Sequence, residues 1–193
     1  MLSNWSNKNM LITASFATIA FFLTPLANAN ASTTYPVRDT LYKKTQLKKY
    51  SAFKNCIFWQ SQAFNVNELV LMSVLLTEYG DEDSKIKNQN QTYDYGLMQI
   101  NDVRSEELLA LGYNLEEVRT DGCKNIEAAT HLLSLEIQRA GDVWLGVGRY
   151  HYNEKGKNPK HHYKYRARVN KKLESLLKVA KSSLNTMHLS GGQ

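Results

Sequence analysis

The densest apolar stretch of the chain lies in the 69–76 segment, where Leu69, Val70, Met72, Val74, Leu75 and Leu76 leave almost no polar face. That pattern predicts a central helix buried nearly all round. Asn67 suits its N-cap, and it ends near Glu78 with Gly80 as its stop. Before it, Phe53, Cys56, Ile57, Gln60 and Phe64 form one stripe and predict a helix over 52–64. After it the period disappears. Residues 81–95 are first acidic and then amide-rich (Asn88, Gln89, Asn90, Gln91), which is turn chemistry. Residues 96–101 alternate in part and predict a small strand or hairpin. Helical signals then resume, with Asp102 as N-cap for 103–111 and Gly112 as its stop. Asn114 and Glu117 have capping-box spacing. Asn125 reads as the cap of an amphipathic helix to about residue 140, closed by Gly141. Asp142 caps another to about residue 152, and a last helix covers 162–177 after a basic loop. The expected class is α+β, mostly α, with a small irregular or β-like insert after the central helix.

The two ends read differently. Lys8 is the sole charge before Arg38, the run 10–23 is apolar, and Ala27, Ala29 and Ala31 alternate with Asn. This is the form of a secretory signal peptide over 1–29, cut after Ala29 or Ala31. The apolar run is short against the roughly 20 residues of a membrane span, and no second stretch is longer, so a soluble exported protein is expected. Residues 30–48 are polar without a clear period and read as a mobile lead-in, 49–178 as the domain, and 179–193 as a flexible tail.

Composition narrows the function classes. Apolar residues at 42% and charged residues at 22% suit a globular protein and exclude wholesale disorder. The net charge is +6, with the excess in Lys43, Lys44, Lys48 and Lys49 and in the stretch 155–181. Such a balance suits an anionic partner such as acidic cell-wall polymer or a membrane surface, or it is simply a solvated face. Export argues against nucleic acid. Two cysteines in an exported chain predict one disulfide, Cys56–Cys123, contributing about 4 kcal/mol on the chain-entropy argument. There is no Ser-His-Asp arrangement, phosphate loop or zinc signature, and the Asp81, Asp83, Asn88 spacing lacks the EF-hand order. No metal and no cofactor are expected.

Glu78 carries the chemistry. It follows Val74, Leu75, Leu76 and Thr77 at the C-terminal end of the most apolar helix. Apolar neighbours desolvate its carboxylate, and the negative end of the helix dipole repels it. Both effects raise its pKa, as a general acid working near neutral pH requires. The alternative is an ordinary last-turn Glu pointing into water.

From Glu78 onward the chain resembles the small lytic transglycosylases of goose-lysozyme-like (SLT) fold, above all those accompanying secretion, conjugation and pilus machines. The resemblance is carried by Asp94-Tyr95-Gly96-Leu97-Met98-Gln99-Ile100-Asn101, then Cys123, Asn125 and Ile126, then Trp144, Val147 and Tyr150, and finally Tyr165 and Val169. It implies a lysozyme-like domain acting on peptidoglycan glycan strands in the periplasm, with subunits of such machines as further partners. It implies Glu78 as the catalytic acid, with Met98, Gln99 and Asn101 lining the glycan groove. Tyr150 would close its other side, and Asp94 and Tyr95 would hold the turn that presents Gln99. It matches the Cys56 and Cys123 positions too. Asn101 reads equally well as a helix cap. Two departures stand out: Tyr79 replaces the Ser that usually follows the Glu, and His151 stands where the family often has Asn. A hydrolysing muramidase on the same fold would need a second carboxylate, for which Asp81, Glu82, Asp83 and Asp94 are candidates.

Overall fold

The structure is a computed structural model that describes residues 31–190. The expected signal peptide lies outside the described residues. Among them, no helix is long and apolar enough to cross a membrane.

The buried centre is α3 (Glu68–Glu78), in which every side chain from Val70 to Leu76 is buried. Asn67 caps it, its side-chain oxygen accepting from the N–H groups of Leu69 and Val70. The one polar residue in that run, Ser73, donates back to the Leu69 carbonyl at 2.6 Å, so its hydroxyl is satisfied inside the core. On α3 pack α2 (Lys54–Ala63) and α8 (Lys160–Ser190), while α6 (Gly122–Ala140) and α7 (Val143–His151) pack on each other and on α2 and α8 respectively. Two short helices, α4 (Ser105–Ala110) and α5 (Leu115–Thr120), precede α6. Cys56 of α2 and Cys123 of α6 are joined by a disulfide.

The insert after α3 is a three-stranded antiparallel sheet of order β1 (Lys85–Lys87), β2 (Tyr93–Tyr95), β3 (Ile100–Asn101). Asp94 pairs with Asn101 and Tyr95 with Ile100. The class is therefore α+β, mostly α, as the periodicity implies.

Three local expectations are corrected. The stretch 30–48 contains α1 (Ala31–Lys44), followed by a 3-10 segment, Gln46–Phe53. Arg38, Leu41 and Tyr42 stand at i, i+3 and i+4 and are all buried, a stripe too narrow to register among polar neighbours. The tail expected from 179 onward continues α8 to Ser190, with Leu176 and Ala180 buried and Ser183 hydrogen-bonded to Thr40. These two segments cover each other. Finally, α6 begins at Gly122 with Asp121 as its cap, which leaves Asn125 one turn inside the helix and 1% exposed.

Candidate active site

Glu78 is the last residue of α3, and the chain turns immediately after it. Tyr79 takes the left-handed conformation (φ 54°) that closes the helix, a position where Gly80 was expected. Its ring lies edge-on to Tyr50 and beneath the Lys49 ammonium at 4.2 Å, and its carbonyl accepts from Lys49 at 3.1 Å. Gly80 serves a different purpose. A Cβ there would meet the Leu97 carbonyl at 2.9 Å and the Gln99 side-chain nitrogen at 2.7 Å, so the glycine lets α3's exit pass close beneath the turn that carries Gln99.

That turn runs from β2 to β3 and is held above all by Asn125. Asn125 accepts from the Met98 N–H at 2.8 Å and donates to the carbonyls of Tyr95 (3.1 Å) and Val118 (3.0 Å). Gly96 has φ 69°, and a Cβ on it would run into the Asn125 amide. Gln99 is left-handed too (φ 48°), and its side chain donates to the Gly96 carbonyl at 2.8 Å and Ser84 at 3.2 Å. Asn101 donates to Asp94 at 2.7 Å and Thr92 at 2.9 Å while capping the next turn through Val103. From the opposite side Tyr150 of α7 donates to the Met98 carbonyl at 3.0 Å.

Together these elements enclose a groove of about 840 Å³ lined by Glu78, Asp94, Gln99, Asn101, Tyr150 and His151, among others. The structure thus brings Glu78 together with Gln99, Asn101, Tyr150 and Asp94. Met98 is the exception: its side chain is fully buried in the core, and its contribution is the backbone that Asn125 and Tyr150 grip. Tyr95 is half-buried and supports the turn through its carbonyl. Among the described residues no cluster of His, Cys, Asp or Glu could hold a metal.

The partner of the Glu78 carboxyl is a residue that the sequence marks only as part of the late motif. Tyr165 of α8, 1% exposed, donates its O–H to Glu78 Oε1 at 2.5 Å. His151 stacks on the Tyr165 ring at 4.5 Å, nearly parallel, and Arg168 lies over it at 5.4 Å. Burial pushes the Glu78 carboxyl up to about 7. The Tyr165 hydroxyl and the Arg168 charge pull it down, and Asp94 pushes it up. Burial likewise holds the Tyr150 and Tyr165 phenols well above their ordinary range, so both stay protonated donors. Burial, then Arg168, lowers His151, which keeps its ring neutral. The arrangement can therefore offer one proton, near neutral pH, to a ligand lying in an open groove lined with amide donors and acceptors.

Residues 55–175 match the family model described as Transglycosylase SLT domain. Over 105 residues the chain is 31% identical to Protein IpgF of Shigella flexneri, covering 54% of this chain and 69% of that one. It is 27% identical to Invasion protein IagB of Salmonella typhimurium (strain SL1344) over 101 residues, covering 52% and 63% respectively. It is also 31% identical over 85 residues to Peptidoglycan-binding-like protein of Escherichia coli O157:H7, covering 43% and 51%.

Proposed function

This chain belongs to the transglycosylase SLT domain family, and from that premise we propose that it is an exported lytic transglycosylase. It cleaves the bond between N-acetylmuramic acid and N-acetylglucosamine in periplasmic peptidoglycan. The observation that carries the reading is the Glu78 carboxyl, pushed up to about 7 by burial in the groove and bonded to a buried tyrosine.

In this reading the glycan strand lies in the groove against Gln99, Asn101 and Tyr150. Glu78 protonates the glycosidic oxygen, and the bond to the muramyl anomeric carbon breaks. The substrate's own N-acetyl oxygen and the polar groove stabilise the oxocarbenium-like centre. Glu78, now a carboxylate, takes the proton of the muramyl 6-hydroxyl, whose oxygen closes a 1,6-anhydro ring. Proton and electron pairs balance without water or a second carboxylate. The Tyr165 hydroxyl steadies the transient carboxylate, and the stacked His151 ring holds Tyr165 in place. A relative named as an invasion protein supports local opening of the wall for a secretion-type apparatus.

A second reading is a hydrolytic muramidase on the same frame. One observation favours it: Asp94 lines the groove with Glu78 and is close enough to raise its pKa. Mass spectrometry of sacculi digested by the mature protein separates the two. Anhydromuramyl products from wild type and none from Glu78→Gln are the expected result. Reducing-end products would replace the proposal with the muramidase. Sacculus binding with no product at all would leave a glycan-binding assembly factor.

A further inference from the structure

A second groove, of about 880 Å³, lies beside the first. Lys44 at the end of α1, Thr45 and Gln46 form one wall, the last turn of α3 its floor, and α8 the other wall. Thr77 and Tyr79, the residues on either side of Glu78, line it, so the two grooves share the end of α3.

Its charge is one-sided. Lys44, Arg168, Lys171 and Lys172 line it, and no acidic side chain among the described residues does. Several cations elsewhere are paired, among them Lys49 with Asp81, Lys54 with Asp39, Arg104 with Glu107 and Arg149 with Glu154. These four have no ion pair among the described residues. Lys172 donates to the neutral Gln46 amide at 2.7 Å, and Arg168 rests over the Tyr165 ring. Four like charges around a concave surface repel one another, and the concavity focuses their potential on the space between. Arg168, Lys171, Lys172 and Ser175 recur at three- and four-residue steps and form one face of α8.

We propose that this basic groove holds the carboxylate-bearing peptide stem of the glycan strand whose sugars occupy the first groove; the proposal rests on the peptidoglycan reading above. Stems branch from every muramyl unit and carry free carboxylates along an extended chain. Four or five residues reach about 13–18 Å, and this groove begins one residue from the acid. A flat anionic membrane does not enter a cleft walled by two helices. Lys44, Thr45 and Gln46 precede the family-matched residues 55–175, so the groove depends on a segment outside the matched domain.

The test is binding, made in the Glu78→Gln protein so that turnover plays no part. Soluble glycan strands with stems intact are compared with strands stripped by an amidase, for the parent and for a Lys44→Ala, Lys171→Ala, Lys172→Ala variant. Lys171→Glu alone serves as a second variant, and melting curves check both folds. The parent should bind the stem-bearing strand roughly tenfold tighter, a preference that fades as salt rises. The variants should lose that preference while binding stripped strands as the parent does. Equal binding of both strands by the parent would overturn the proposal, as would equal loss on both in the variants. Capture by phosphatidylglycerol vesicles that disappears in the variants, with no stem preference in the parent, would reassign the groove to lipid. Absence of product from wild type on stem-bearing sacculi would defeat the activity and leave this comparison intact.

Discussion

Glu78 holds its proton more tightly in the folded chain than in the unfolded one, since folding raises its pKa from 4.5 to about 7. The sign of the linkage follows. Below about 4.5 both states carry the proton and the residue is neutral in its effect. Between 4.5 and 7 the unfolded state releases it first, so stability falls as pH rises. Above 7 the loss is complete, on the order of 3 kcal/mol. Glu78→Gln keeps the shape and the Tyr165 bond without a charge to bury. Denaturant titrations should therefore find wild type and variant alike at pH 4 and the variant more stable at pH 8. A difference independent of pH would show that burial is not what perturbs the acid. The same titration limits activity, which should decline as pH passes about 7.

Among the elements, the turn between β2 and β3 owes its shape to Asn125 of α6, which satisfies three backbone groups at once. Asn125→Ala leaves those groups without that partner in a buried site, which costs about 3 kcal/mol and loosens Gln99. Thermal melting and sacculus turnover should both fall, the latter by more than the lost stability explains. A variant that melts like wild type would disprove this. The sequence makes the helices legible through Asn67, Asn114, Gly141 and Asp142, each of which acts where the capping rules put it. Asn125 was legible only as a cap, because Asp121 four residues earlier is an equally good one and nothing local chooses between them. Glu78 and the groove block were readable because their chemistry is local. Tyr165 as the acid's partner was not, since 87 residues separate the two and no periodicity links them. Nor were α1 and the end of α8, whose narrow apolar stripes acquire meaning only against each other.

Over the whole molecule, the Cys56–Cys123 disulfide closes a loop of 67 residues that contains α3, Glu78 and the entire sheet. Replacing both cysteines by Ser should lower unfolding free energy by about 4 kcal/mol, read from denaturant midpoints. An unchanged midpoint would mean that helix packing alone sets the fold. The opposite wall of the groove, with Tyr150 and His151, lies outside that loop on α7, and so does Tyr165 on α8. The acid is thus made by one part of the chain and tuned by another that is synthesised later. Without α8, the end of α3 has neither the Tyr165 hydroxyl nor the surface that packs on it. On the proposed reading, competence to cut therefore depends on the last helix having docked.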